Sequence, residues 1–192
     1  MNLEKEVSNY LESIKTETKK ADKHFDSFLN AISIDIKQKI PECSILSKSN
    51  AKVDGKIIKS KRWDLLVDIE SQKIAIETKS ILSSKFGNNF NARVEEAIGV
   101  AYDMKSNNKN VRLAYCIILQ NNDNAINEQK VMKIKSFLEE MERSKLYEVT
   151  LGILINNDKS YEMIHNEYEY FLKKICRKKW ILNDIIRKII TL

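Results

Sequence analysis

Asp64, Glu77 and Lys79 are the residues of this chain whose types and spacing point to chemistry. Asp64 stands near the start of the apolar run Trp63 to Ile69, and Glu77 and Lys79 follow a second run through Ile74, Ala75 and Ile76. The polar stretch Glu70-Ser71-Gln72 between the runs predicts a hairpin. Period-two geometry puts Glu77 and Lys79 on one face of the second strand, with Asp64 on its neighbour. Two carboxylates and an ammonium at the end of an apolar hairpin are costly to bury without partners, and a divalent cation suits the carboxylates. Twelve residues between Asp64 and Glu77, then one between Glu77 and Lys79, is the spacing of a nuclease site. The tripeptide alone discriminates little, because Glu17 to Lys19 and Glu128 to Lys130 repeat it without an apolar strand before it. The same residues also suit a plain ion pair, Glu77 with Lys79 or Arg62, on a solvated hairpin face.

The segment that follows adds to the pattern. Phe86-Gly87-Asn88-Asn89-Phe90-Asn91 is turn-rich and opens a helix that carries Arg93, Glu95 and Glu96 and runs to about Met104. KRWDLLV, then AIETKS, then FGNNFNARVEEAIGVAYD resembles the core of the XhoI-type Type II restriction endonucleases, members of the PD-(D/E)xK nuclease superfamily. The resemblance covers about forty-five residues in order and spacing, from Lys61 to Lys105. Ala92 stands where the family has a second Asn, Thr78 where it has a larger apolar residue, and Ser84-Lys85 where it has Pro-Ser. Thr78 points to the opposite strand face from Glu77 and Lys79. Ala92 bears on the target: the resemblance suggests CTCGAG as a default site, but Asn side chains read adenine edges bidentately and this one is replaced.

The resemblance implies an α/β fold with a restriction-endonuclease-like core, an about five-stranded mixed β-sheet flanked by helices. It implies Mg²⁺ held by Asp64, Glu77 and the Thr78 carbonyl, polarising the scissile phosphate and activating a water, with Lys79 orienting that water or stabilising the developing charge. Asn88, Asn89, Asn91 and Arg93 are the DNA-contact candidates, though Gly-Asn-Asn is also ordinary chemistry for a tight loop and a helix start. Glu95 and Glu96 read as site-supporting acids or as first-turn helix residues, the second being favoured. Asp26 and Glu42 are candidates for an acid contributed by the first helix. The partners implied are double-stranded DNA with a short palindrome, a second copy of the chain forming a homodimer, and a companion DNA methyltransferase that protects the host. The products carry 5′-phosphates.

The elements that must position these residues read in order as follows. Residues 1 to 40 are helical, with a second stripe through Phe25, Phe28, Leu29 and Ile32 ending before Pro41. Residues 42 to 60 are mostly loop, with Gly55 to Ser60 as the first strand of a meander. VRLAYCIILQ is a strand, Lys130 to Leu146 an amphipathic helix, Glu148 to Ile155 a fifth strand, and Glu162 to Ile190 a C-terminal helix. The whole makes a single domain over 1–192, with N-terminal helices at 1–40, the catalytic core at 55–120 and a helix-strand-helix unit at 127–192 for dimer and DNA contacts. Leu172 and Ile175 are assigned to core closure and the last turns of the C-terminal helix to a dimer seam.

Composition agrees with an intracellular DNA-acting protein. Four Gly and one Pro in 192 residues argue against long linkers, and no apolar run is long enough to span a bilayer. No secretory signal is visible, and Cys43, Cys116 and Cys176 have neither paired nor metal-ligand spacing, so a prokaryotic cytoplasmic location is expected. The net charge is +6, and the stretch from Lys173 onward carries all of it, seven cations against Asp184. A second basic cluster, Lys48, Lys52, Lys56, Lys59, Lys61 and Arg62 against Asp54, leads into the site strand. Both suit a polyanion. Two other readings are compatible with these residues: a structure-selective DNA repair or junction-resolving nuclease of the same superfamily, and an inactive DNA-binding relative.

Overall fold

The structure, a computed structural model, describes residues 26–69, 72–121, 124–158 and 160–177. The helical stripe expected before residue 26 and the dimer seam expected after residue 177 lie outside the described residues.

The elements are α1 (Asp26–Lys39), β1 (Ser44–Ser47), β2 (Lys52–Val53), β3 (Lys61–Arg62), β4 (Leu65–Ile69), β5 (Gln72–Leu82), α2 (Phe86–Asn107), β6 (Val111–Asn121), α3 (Glu128–Arg143), β7 (Val149–Asn156), β8 (Tyr161–His165) and α4 (Tyr168–Ile175). Six strands form one sheet in the order β1-β4-β5-β6-β7-β8, and β2 and β3 pair as a separate ribbon. The sheet is mixed: β1, β4 and β5 run antiparallel, β5, β6 and β7 parallel, and β8 turns back antiparallel on β7. Strand β6, buried on both faces at the sheet centre, is a near-continuous apolar run, as such a position demands.

Strand alternation divides the core into two layers. Ile74 and Ile76 of β5 pack with Phe28, Ile32 and Ile36 of α1 and Phe171, Leu172 and Ile175 of α4. Ala75 and Ile81 pack on the other side with Ala97, Ala101 and Met104 of α2 and Ile134, Phe137 and Leu138 of α3. The expected helix-flanked mixed sheet is therefore present, and Leu172 and Ile175 do close the core. No helix among the described residues is long and apolar enough to cross a membrane.

Three boundaries differ from expectation. The first sheet strand is Ser44–Ser47, not Gly55 to Ser60; it is a short edge strand, mostly exposed, so it carries little apolar alternation. Residues 55–60 form instead the tip of the β2–β3 ribbon. There the Asp103 carboxylate accepts the Ile57 and Ile58 amides at 2.7 and 3.0 Å, and Asn107 and Asn108 hold the Asp54 carbonyl. Gly55 is required at this contact, since a Cβ would stand 1.8 Å from Asp103 Oδ2. Finally, Tyr161–His165 is a sixth strand of the main sheet where the C-terminal helix was expected to begin. It forms a hairpin with β7 through a turn in which Ser160 donates to Asp158.

Candidate functional site

The β4–β5 hairpin places Asp64 at the point where β4 starts and β5 continues beyond it. The Asp64 amide donates to the Ile76 carbonyl at 3.1 Å, one step past the Leu65–Ile76 pair. Its carboxylate reaches across the strand end, Oδ2 accepting the Thr78 amide at 2.6 Å. A strand residue points its N–H and C=O to the same edge, so the Thr78 carbonyl also faces the Asp64 side. Glu77 lies between, opposite Tyr115 in register and on the face covered by α2 and α3. Lys79 is two residues on, on the same face.

Four further charged side chains, Lys61, Lys79, Arg93 and Glu96, form a network with Glu77. Lys79 Nζ is 2.5 Å from Glu77 Oε1 and 3.0 Å from Glu96 Oε1. Lys61 Nζ is 3.1 Å and 3.9 Å from the same two oxygens. Arg93 donates from Nη1 to Glu96 Oε2 at 2.8 Å, a one-turn pair on α2. Asp64, Glu77 and Glu96 thus face Lys61, Lys79 and Arg93, three negative charges against three positive. Trp63, Ala97, Val100, Tyr115 and Tyr147 form the apolar base beneath them. The Tyr147 hydroxyl donates to the Ala97 carbonyl at 3.1 Å, fixing the helix against that base.

The electrostatics are uneven. Burial, and then the charge of Glu77, raise the Asp64 pKa to about 6, against the smaller opposing pull of the Thr78 amide and the two lysines. Burial opposes the charge of Lys79, but Glu77 and Glu96 outweigh it and hold the ammonium above the ordinary lysine value. Glu96 is likewise disfavoured by burial yet held below the ordinary carboxylate value by Lys79 and Arg93. Tyr115 is pushed well upward by burial and by its neighbours Tyr147 and Glu77, so it stays a neutral phenol.

These residues fit a hard divalent cation in donor type. Asp64 is a half-buried carboxylate whose charge is raised in energy by a second carboxylate, Glu77, and a backbone carbonyl faces the same gap. No group of three His, Cys, Asp or Glu side chains among the described residues is already gathered for a metal. Glu77 and Glu96 are drawn to lysines instead.

Not every expected residue is brought to this centre. Asn88, Asn89 and Asn91 lie on the first two turns of α2, because the helix begins at Phe86 and not after the asparagines. Phe86 is buried and stacks on Phe90 at 5.4 Å, and this aromatic anchor pulls the Gly-Asn-Asn stretch into helix. Asn88 and Asn91 are exposed there, Asn89 half-buried. Arg93 is spent on Glu96. Glu95 is exposed, while Glu96, in the third turn and not the first, is the acid that pairs with Lys79. Asp26 pairs with Lys48 at 2.9 Å on α1, under the opposite sheet face from Glu77. Glu42 is exposed beyond Ser44, which pairs with Asp68, so it sits at the other end of β4 from Asp64. Glu77 does pair with Lys79, but Arg62 is exposed, and the second cation on Glu77 is Lys61. The buried Thr78 does point away from the site, and its hydroxyl has no protein partner.

Two participants were not singled out by the sequence. Glu96 is one of two acids for which the first-turn helix reading is favoured, although Arg93, Glu96 and Val100 recur at helical spacing and so share one face of α2. Lys61 had no such signal, since β2 and β3 are two residues each and its neighbours read only as a basic cluster.

Comparison with known proteins adds independent findings. The family model described as restriction endonuclease XhoI matches residues 11–116. The chain is 40% identical over 86 residues to the Type II restriction enzyme XhoI of Xanthomonas vasicola, covering 43% of this chain and 35% of that one. It is 53% identical over 47 residues to the Type II restriction enzyme AbrI of Azospirillum brasilense, covering 23% of this chain and 21% of that one. The chain therefore spans about a third or less of the length of these curated relatives. No solved structure matches.

Proposed function

We propose that this chain, which belongs to the XhoI restriction endonuclease family, is a Type II restriction endonuclease with a PD-(D/E)xK core, hydrolysing double-stranded DNA at a short palindrome. The observation that carries the reading is the Asp64–Thr78 contact, which brings the carboxylate of one strand to the backbone between Glu77 and Lys79 of the next. A hairpin face that served only solubility has no use for a carboxylate raised in energy by its neighbour.

Asp64, Glu77 and the Thr78 carbonyl would hold Mg²⁺, which when bound supplies Lewis-acid polarisation of the phosphate. Lys79, kept protonated by Glu77 and Glu96, presents a fixed positive charge where the pentacoordinate transition state at phosphorus gains negative charge. Glu96 positions that ammonium from α2, and Arg93 in turn orients Glu96. The tyrosine-lined base excludes water from beneath Glu77. In-line attack of a water on phosphorus breaks the P–O3′ bond, leaving a 5′-phosphate and, once O3′ takes up a proton, a 3′-hydroxyl. The exposed amides of Asn88 and Asn91 are the remaining candidates for base-edge contact. A palindrome calls for a homodimer whose two-fold axis matches that of the DNA, and for a methyltransferase that protects the same site in the host.

Unmethylated phage DNA incubated with the protein and Mg²⁺ is expected to give discrete bands that Glu77→Ala abolishes. Sequencing the ends yields the site and the overhang. A smear lost in the mutant supports a structure-selective nuclease instead, and the absence of cutting by both proteins on several DNAs supports a binding module.

A further inference from the structure

Lys61 is the charged side chain at this centre that the proposed reaction leaves without a task. Its side chain is only 18% exposed, and its ammonium shares Glu77 Oε1 with that of Lys79, at 3.1 and 2.5 Å. A carboxylate oxygen has two lone-pair sites, so one that accepts from two ammoniums has none left for a metal ion. The two lysines are not held alike. Lys79 extends from the central strand β5 and is also tied to Glu96 at 3.0 Å. The second contact of Lys61, to the same Glu96 oxygen, is 3.9 Å, and its ammonium lies 5.6 Å from the Trp63 ring centroid, within cation–π reach. Its backbone belongs to the two-residue β2–β3 ribbon outside the main sheet. Lys52, Lys56, Lys59 and Arg62 of the same ribbon are exposed.

We propose that Lys61 is a displaceable counterion: it neutralises Glu77 before metal arrives, and passes to a DNA phosphate when a divalent cation takes that oxygen. The inference rests on the nuclease reading above. Its physical basis is charge balance. Three carboxylates and three cations already sum to zero at the site, so a divalent ion entering beside Glu77 repels the less tightly tied ammonium, that of Lys61, and competes with it for the Glu77 carboxylate. Metal entry and phosphate capture then favour each other, because whatever draws Lys61 away from Glu77 strengthens the other ligand's binding.

The test is calorimetric titration of the whole protein with Ca²⁺, an oxygen-seeking ion, without DNA. Lys61→Met keeps the stem and removes the charge, and is expected to bind Ca²⁺ roughly tenfold more tightly than wild type, the scale of one lost charge repulsion. Lys61→Arg is expected to stay near wild type, and Glu77→Gln to lose the site. In saturating Ca²⁺, Lys61→Met is expected to bind a duplex roughly fivefold more weakly than wild type, having no ammonium to give to phosphate. A Lys61→Met protein with unchanged or weaker Ca²⁺ affinity, or with undiminished duplex binding, overturns the exchange while Glu77-dependent metal binding leaves the nuclease reading standing. Identical Ca²⁺ binding by wild type and Glu77→Gln overturns both. Should Lys61→Met not fold, amine acetylation of wild type decides. Labelling of Lys61 is expected to rise severalfold on Ca²⁺ saturation, with the exposed Lys133 unchanged, and a constant Lys61 signal rejects the displacement.

Discussion

At the scale of single residues, Asp64 is a carboxylate held charged at a cost in stability, a cost that the proposed metal site would explain. Burial and the charge of Glu77 lift its pKa from the ordinary 3.8 to about 6 in the folded protein. The folded state therefore binds a proton that the unfolded chain has released between those two values. Stability contributed by this group is greatest below that window and falls as pH rises through it. Asp64→Asn, which keeps an oxygen for the Thr78 amide and removes the charge, is expected to raise the melting temperature of metal-free protein at pH 7.5. After discounting for screening at a half-buried group, the gain is about 1 kcal/mol, or about 2–4 °C for a chain of this size. The same variant is expected to lose Ca²⁺ binding and cleavage, and wild-type metal-free melting should show the gain shrinking as pH falls to 4. An Asp64→Asn protein no more stable than wild type at pH 7.5 would mean that the carboxylate is already compensated. Thermal scans at pH 4.5, 6 and 7.5 separate the cases. Glu96 illustrates the opposite arrangement: two cations hold its pKa down, so it is a stabilised acid that steadies Lys79.

At the scale of elements, what could be read beforehand follows from where the apolar period is strong. The β4–β5 hairpin, β6 and α3 carry long apolar runs or helical patterns, and they lie close to their expected places with Asp64, Glu77 and Lys79 together. Short or polar elements were illegible for physical reasons: β1 is an edge strand of SILS, and β8 is five residues held by pairing to β7. The start of α2 was misplaced because turn-forming asparagines outweigh an anchor that only the tertiary stack of Phe86, Phe90 and Phe137 reveals. The joint between α3, β7 and β8 was equally hidden, since it depends on one acid. Glu142 Oε1 accepts the Thr150 amide at 2.6 Å, the Thr150 hydroxyl at 2.9 Å and the Asn166 side chain at 2.7 Å. Burial opposes its charge, but His165 and Thr150 outweigh it and lower its pKa. A lowered carboxylate stabilises the fold above its unfolded pKa, and that stability is lost as pH falls through the folded value. Glu142→Ala strands the Thr150 amide and is expected to cost about 2–3 kcal/mol, measured by urea unfolding at pH 7. Glu142→Gln should recover part of this, and a cost below 0.5 kcal/mol for the alanine variant would show the joint to be held by packing alone.

At the scale of the whole molecule, the sheet separates, among the described residues, the cations of the β2–β3 ribbon from those of α4, which composition alone could only add together. Ala51, Val53 and Trp63 tie the β2–β3 ribbon to the layer of α2 and α3, the face that Glu77 and Lys79 share. Lys173, Lys174 and Arg177 belong to or adjoin α4, whose apolar side packs with α1 under the other face. A duplex seated on the site meets the ribbon, and within the described residues the α4 cations lie behind the sheet from it. Each phosphate neutralised contributes about 0.9 to the slope of log affinity against log salt concentration. Replacing Lys56, Lys59 and Arg62 together by Ala is therefore expected to lower that slope by about 1–3 in Ca²⁺, where binding can be followed apart from cleavage. The same replacement at Lys173, Lys174 and Arg177 is expected to leave it within about 0.5. Fluorescence anisotropy of a labelled duplex from 50 to 300 mM salt reads both. If the α4 triple variant loses the slope and the ribbon variant keeps it, DNA approaches from the other side of the sheet, and the Asp64–Glu77–Lys79 centre is not where the phosphate sits.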